Sequence, residues 1–261
     1  MCKLTGTIGK LVDSHIIPKS LTKPTEAGAP LLQSTKGQGH KRRWSSWYDS
    51  EMVTREGEDI LRDIDDAAIK ELRRKKLIWS GWGHFPPVFE TLLPILPNHG
   101  MRCISDFDQK IVARFFQSIA WRASVSSLQD MRDCRLEKEA EEMLRTATLG
   151  EESAMHQLPV SLIQLSTLGT SHNHSPYLAQ KFLENSDKPE RTVPFVRIYV
   201  DGLIAHVYLE DLFSKVNLDE FVFLNESNKL FVLSITYESS FQYENMLVLG
   251  YESQFGPLYQ I

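Results

Sequence analysis

The chain has 261 residues, of which 42% are hydrophobic, 10% aromatic and 24% charged. This composition suits a globular protein with a core, and it excludes a disordered tail, a collagen-like repeat and a disulfide-stapled miniprotein. The net charge of −5 argues on its own against a nucleic-acid partner. It averages two unlike parts, because residues 1–83 carry a net charge of +4 and residues 84–261 carry −9. The excess of +6 in residues 1–48 predicts either a local phosphate site or an uneven but solvated surface.

Cysteine usage and targeting signals together predict a cytoplasmic protein. The three cysteines, Cys2, Cys103 and Cys134, are odd in number and do not have metal-site spacing. Neither a zinc ribbon nor a disulfide framework is therefore expected. The first ten residues contain no apolar signal segment, and no apolar run approaches the ~20 residues that cross a bilayer, so no membrane contact is expected.

The amino-terminal third is predicted to contain a strand, a long loop and a helix. The apolar and β-branched run at 10–17 favours a strand that ends at Pro18, because proline has no N–H for the ladder. Residues 22–46 are rich in Lys, Thr, Gly, Ser and Gln and predict a loop. Residues 54–76 have the apolar period of an amphipathic helix, with acidic residues early and basic residues late. Its apolar stripe consists of Ile60, Leu61, Ile64, Ala68 and Leu72.

The remainder divides into a linker, helices and strands. Four prolines in residues 84–105 predict a linker between an amino-terminal unit, 1–83, and a carboxy-terminal unit, 106–261. Helices are predicted at about 106–126 and 135–145. Asp201-Gly202 is a strong two-residue hairpin signal between two β-rich runs, so we expect an antiparallel sheet to close the chain. The β-rich runs are 160–166, 195–200, 203–209, 220–224 and 230–236.

Two features are interpreted as structural. Arg122 lies among apolar residues of a predicted helix, where a cation needs a partner, and a buried ion pair is expected there. Trp79 and Trp82 could stack on bases, but tryptophans at helix ends more often belong to the core.

His15 is the first candidate for chemistry. It lies near the end of a predicted strand that is followed by a loop and a helix, which is the order of a ββα-metal site. In such a site an imidazole takes a proton from water and a bound metal stabilises the leaving phosphate oxygen. Histidine has a suitable pKa for this task, and Mg²⁺ is the usual ion beside phosphate oxygens. The alternative for a single histidine on a strand is a structural role.

The segment CKLTG…GKLVDSHIIPKSL resembles the opening of HNH-type (His-Me finger) endonucleases, in particular a bacterial group with an S-H-I-I-P-K core. SGWG at 80–83 and SIAWRAS at 118–124 resemble the remainder of the same group. The resemblance implies an α+β fold with an amino-terminal ββα finger, central helices and a carboxy-terminal antiparallel sheet. It also implies a Mg²⁺-dependent DNA endonuclease.

The cysteines that hold a structural zinc in many of these proteins are mostly absent here. Cys2 matches the first of them, but its partner position holds Thr5. The second pair is replaced by a stretch containing Trp44, Trp47 and Tyr48. We therefore expect no structural zinc, and an apolar clasp of these three rings in its place.

The resemblance also assigns candidate site residues. His15 matches the general base, and Ser14 stands where the group carries an Asp or His metal ligand. Asp13 could substitute only at a kink in the strand, because a regular strand turns it to the opposite face. The second ligand would come from near the helix. Its candidates are Asp49, Glu51 and Glu58, for each of which a helix cap or a solvated face is the alternative.

Basic residues near the finger suit phosphate positioning, since guanidinium groups match phosphate oxygens. The residues are Lys19, Lys41, Arg42 and Arg43. Two functions remain open. The first is a metal-dependent DNA endonuclease with His15 as general base. The second is a catalytically degenerate protein of the same fold that binds nucleic acid, or a protein partner through its acidic carboxy-terminal unit, within a phage-defence or toxin-like system.

Overall fold

Helices and three β-sheets make this an α+β protein, as predicted. The computed structural model describes residues 1–22, 30–35, 38–87, 89, 92–183, 191–210, 222–225 and 228–256. The strands are β1 (Leu11–His15), β2 (Leu31–Thr35), β3 (Gln38–Arg43), β4 (Tyr48–Thr54), β5 (Leu92–Leu96), β6 (His99–Ser105), β7 (Val160–Leu165), β8 (Asn173–His174), β9 (Tyr177–Leu183), β10 (Arg191–Val200), β11 (Leu203–Tyr208) and β12 (Lys229–Ile235). The helices are α1 (Arg55–Arg74), α2 (Gln109–Val125), α3 (Lys138–Leu149), α4 (Glu152–Gln157) and α5 (Phe241–Phe255).

The largest sheet has seven strands in the order β5-β6-β12-β7-β11-β10-β9. Its neighbours are antiparallel except for β7 and β12, which are parallel, so the predicted antiparallel sheet is in fact mixed. The predicted linker is wrong over 92–105, because β5 and β6 pair as a hairpin and β6 pairs with β12. Pro94 is compatible with a strand here, since β5 is at the sheet edge. Of the predicted strand 220–224, residues 220–221 lie outside the described residues, and Phe223 forms an isolated bridge to Ser161.

The amino-terminal region is built on the antiparallel pair β1 and β4, and α1 begins directly after β4. Between these two strands, β2 and β3 form a hairpin, and β8 joins β2 in parallel to give a sheet of order β3-β2-β8. The prediction of a loop at 22–46 is therefore wrong over these two strands. Residues 23–29 and 36–37 of that loop lie outside the described residues.

One hydrophobic core runs through both predicted units. Helix α2 packs against α1 on one side and against strands of the large sheet on the other. Phe115, Phe116 and Trp121 of α2 are fully buried, and the cluster that contains them extends from Cys2 to Val232. The expected boundary between two units therefore falls inside a shared core. No described helix is long and apolar enough to span a membrane.

The turn at Asp201 and Gly202, predicted from this residue pair, joins β10 to β11 and fixes the end of the large sheet to Trp79. The Trp79 amide donates to the Asp201 carbonyl at 2.9 Å. Gly202 has a φ of +79° and lies so close to the indole that an added Cβ would be 2.3 Å from Trp79 Cε2. Trp79 is buried, which confirms its interpretation as a core residue.

Gly202→Ala is expected to lower the free energy of unfolding by about 3 kcal/mol, because the new methyl group adds a clash with Trp79 to the strain of a positive φ. Gly83→Ala is the matched control, since Gly83 has a φ of +73° with nothing within 4 Å of the added Cβ. This variant should lose only about 1 kcal/mol. Urea denaturation measures both, and equal losses would show that contact with Trp79 does not constrain the turn.

Candidate functional site

His15 lies at the end of β1, directly opposite Tyr48 at the start of β4. The two rings are tilted with their centroids 6.4 Å apart. The His15 side chain is half-buried, whereas Tyr48 is 47% exposed. The pairing of β1 with β4 is irregular between Val12 and Ser14, next to the histidine. The predicted order of strand, loop and helix is therefore changed, because the expected loop contains β2 and β3, and β4 pairs with β1 before α1 begins.

Arg122 of α2 connects α1, α2 and the end of β1 through hydrogen bonds. Its side chain is 1% exposed and makes five hydrogen bonds. Two go to the Asp65 carboxylate of α1, at 2.5 and 3.0 Å, and one goes to the His15 carbonyl at 3.1 Å. The other two go to the carbonyl and hydroxyl oxygens of Ser118, at 3.3 and 2.8 Å. The predicted buried ion pair of Arg122 is confirmed, and Asp65 is its partner.

The surroundings of His15 favour its neutral form. Burial lowers the pKa of the imidazole, and the charges of Lys19 and Arg122 lower it further, against smaller opposite effects of Asp65 and Asp13. The imidazole is therefore largely unprotonated at neutral pH and can accept a proton, as a general base must.

Ser14 and Glu58 form a second feature of the site. The Ser14 hydroxyl is fully buried, and neither it nor Glu58 Oε2 has a hydrogen-bond partner among the described residues. Burial raises the pKa of Glu58, while the Ser14 hydroxyl and the charge of Arg122 act in the opposite direction. The Ser14 hydroxyl is thus close enough to act on the Glu58 carboxylate, and neighbouring buried oxygens without a well-formed hydrogen bond usually meet a ligand, an ion or water.

Asp49 and Asp13 are two of the predicted metal ligands, and the irregular pairing between Val12 and Ser14 is at Asp13, for which a kink was the condition. The Asp49 carboxylate is buried and accepts hydrogen bonds from the Glu51 amide, the Ser126 hydroxyl and both the amide and hydroxyl of Ser127, at 2.6 to 3.1 Å. Burial raises the pKa of Asp49, but these bonds outweigh it and the pKa is lowered. The carboxylate thus anchors the chain after α2 to β4. Asp13 is exposed on β1, and we retain neither residue as a metal ligand.

Of the other predicted ligands, Glu51 is exposed, whereas Ser14 and Glu58 fit a divalent cation by their chemistry. Their oxygens make no well-formed hydrogen bond among the described residues, and the Arg122 guanidinium is bound to Asp65. Among the residues that the structure describes, there is no group of three or more His, Cys, Asp and Glu side chains arranged to hold a metal. Mg²⁺ keeps several waters and commonly takes only one or two carboxylates from a protein, so a carboxylate with a hydroxyl is a suitable pair.

The predicted phosphate-binding residues lie on β3 and beside β1. Lys41 pairs with Asp130 at 3.3 Å, while Arg42 and Arg43 are exposed. Lys19 is exposed next to the end of β1. An open cleft of about 570 Å³ runs between β3, β4 and the segment after α2, and Lys41, Arg43 and Tyr48 belong to its lining.

The three rings expected to form an apolar clasp do not do so. Trp47 is buried and donates its indole N–H to Asp130 at 2.9 Å, but Trp44 is 77% exposed and Tyr48 also faces solvent. Sequence reasoning did not include Asp65 in the site. Its spacing of seven residues from Glu58, two helical turns on one face of α1, was the available signal.

Comparison of the chain with protein-family models, with curated proteins and with solved structures found no match.

Arg122→Met is expected to lower the free energy of unfolding by about 3–5 kcal/mol, because the Asp65 carboxylate loses its partner in a largely buried position. The double variant Asp65→Leu with Arg122→Met should recover much of this loss, since no uncompensated charge remains. Urea denaturation of both variants and of Asp65→Leu completes a double-mutant cycle. Strictly additive losses would mean that the two side chains do not stabilise each other.

The pKa of His15 should lie below 6.5 in an NMR titration of its ring protons. Lys19→Met should raise it and Asp13→Asn should lower it, because the two charges act on the imidazole with opposite sign. The unfolded chain binds the proton more tightly than the folded protein, so stability should fall as the pH drops through about 6.5, and His15→Gln should remove that part of the decline. A folded-state pKa at or above 6.5 would contradict this description.

Proposed function

We propose that this protein is a metal-dependent, HNH-like endonuclease that hydrolyses phosphodiester bonds in DNA, with His15 as general base. The observation that carries the proposal is a neutral, half-buried imidazole at the end of β1, directly after Ser14, whose buried hydroxyl acts on the Glu58 carboxylate. The order β1, β4 and α1 around them, and the resemblance of the SHIIPK segment to HNH-type endonucleases, support the same function.

In this proposal the His15 imidazole takes a proton from a water molecule, whose oxygen attacks the phosphorus while the bond to the leaving oxygen breaks. Glu58 and Ser14 would hold the divalent ion. When bound, the ion supplies positive charge that stabilises the phosphate and the leaving oxygen. Arg122 holds the His15 carbonyl and thereby positions the end of β1. Lys19 and the exposed arginines of β3 bind the DNA backbone.

A second candidate is a protein of the same fold that binds nucleic acid without cutting it. The observation in its favour is that two nearby carboxylates are already occupied, Asp49 by Ser126 and Ser127, and Asp65 by Arg122. Of the predicted carboxylates that the structure describes as buried or half-buried, Glu58 then remains to bind the ion. This candidate keeps the phosphate-binding residues and loses the reaction.

Cleavage of circular single-stranded DNA and of supercoiled plasmid in Mg²⁺ or Mn²⁺, each with an EDTA control, tests the proposal. His15→Ala should reduce the rate by at least about 100-fold, because the general base is lost. Glu58→Gln should require a higher metal concentration, because it removes the one charged ligand. The matched controls are His84→Ala and Glu56→Gln, an exposed histidine and an exposed glutamate one half-turn from Glu58.

The outcomes separate the two candidates. If the wild type and His15→Ala leave both the single-stranded DNA and the plasmid equally intact, and the wild type gives a gel shift, binding without cleavage is favoured. Equal cleavage by both proteins would show that His15 is not the base. Thermal unfolding of each variant ensures that a loss of cleavage is not a loss of fold.

A further inference from the structure

An exposed aromatic ring stands beside the proposed catalytic base. Tyr48 pairs with His15 across β1 and β4, and its ring centroid is 6.4 Å from that of the imidazole. The side chain also lines the open cleft and is 47% exposed. A large ring beside a reactive histidine, with its surface available to solvent, is suited to stacking against a planar group of a ligand.

The same end of the molecule carries a second exposed ring and two arginines. Trp44, at 77% exposure, directly follows Arg42 and Arg43, which are also exposed. Within the described part of the chain, neither guanidinium forms an ion pair. Strand β3, which carries the arginines, is at the edge of its sheet. Indole and phenol rings interspersed with cations are the combination that binds bases and phosphates together.

The acidic groups that line the cleft offset little of the positive charge of the two arginines. Asp130 is bound to Lys41 and to the Trp47 indole, and the Asp49 carboxylate is buried among its hydrogen-bond donors. Glu51 remains on the cleft lining as an exposed carboxylate. Helix α5, which carries Glu244 and Glu252, also packs against β3. The cations directly before Trp44 are the exposed Arg42 and Arg43, which fit an anionic ligand with planar groups.

We infer that the protein acts on single-stranded nucleic acid, and that Tyr48 determines this preference by stacking on an unpaired base next to the phosphate at His15. This inference rests on the proposed function and names its substrate form. A base within a duplex is already stacked and paired, so its ring face is not available to Tyr48 without the cost of extrusion. An unpaired base has no such cost, and stacking on an aromatic side chain is tolerant of base identity.

Fluorescence anisotropy in EDTA separates binding from cleavage. The probes are a labelled oligothymidylate and a labelled hairpin duplex with the same number of nucleotides. The wild type should bind the single strand at least about tenfold more tightly than the duplex, and Tyr48→Ala should reduce single-strand affinity by about tenfold. Tyr48→Phe should retain it, because the ring remains. Phe85→Ala removes an exposed ring elsewhere and serves as the matched control.

Two further variants test the charges and the second ring. Replacement of Arg42 and Arg43 by Gln should weaken binding and flatten its salt dependence, because fewer phosphate contacts release counterions. Trp44→Ala should weaken single-strand binding and leave the duplex unaffected. If Trp44 instead contacts a protein partner, its removal will change neither affinity.

The inference is overturned if duplex and single strand bind equally, or if Tyr48→Ala, folded as judged by thermal unfolding, binds like the wild type. Its failure is distinguishable from that of the proposed function. Preferential single-strand binding without any metal-dependent cleavage would retain the stacking role and remove the nuclease. Cleavage of single-stranded and duplex substrates at equal rates would retain the nuclease and remove the preference for single strands.

Discussion

A buried guanidinium group constrains this structure more than any other polar side chain in the site. Arg122 has five N–H donors, and all of them are used. They bind the Asp65 carboxylate of α1, the His15 carbonyl of β1 and two oxygens of Ser118 in α2. A guanidinium removed from water is costly unless its donors are satisfied. Because its partners come from three elements, α1, α2 and β1 must keep one relative arrangement.

The Arg122 cation also acts on the charged groups around His15. It binds Asp65 on both carboxylate oxygens, so this residue is not available to a metal, and it opposes protonation of His15 through its charge. Glu58 and Ser14 are left as a neighbouring pair of oxygens that act on each other and make no well-formed hydrogen bond among the described residues. One side chain therefore connects α2 to α1 and β1 and adds to the effects of burial and Lys19 that keep His15 neutral, which joins the stability of the core to the chemistry proposed for its surface.

Local patterns predicted the elements whose folding depends on local physics. The apolar period of α1 and the Asp201-Gly202 turn correspond to the structure, and the prediction that Arg122 needs a buried partner is confirmed. The hairpin of β2 and β3 and that of β5 and β6 were missed. β2, β3 and β6 contain polar residues or glycine, and Pro94 interrupts the apolar run of β5. They become strands because β8 and β12 supply edges from distant parts of the chain. Asp49 shows the same limit, since one of its hydrogen-bond donors, Ser126, is 77 residues away.

By itself the sequence determined a mixed α+β chain, a helix after a histidine-bearing strand, and a concentration of positive charge in its first 48 residues. Periodicity, turn residues and charge counts predict these properties, because each property depends on residues that are neighbours along the chain. Only the tertiary structure decided which oxygens remain near His15, that Trp44 and Tyr48 are exposed while Trp47 is buried, and that the two predicted units share a core. These properties depend on contacts between residues far apart in the chain. The net charge of −5, which averages the whole sequence, therefore describes neither the basic strand β3 nor the site near it.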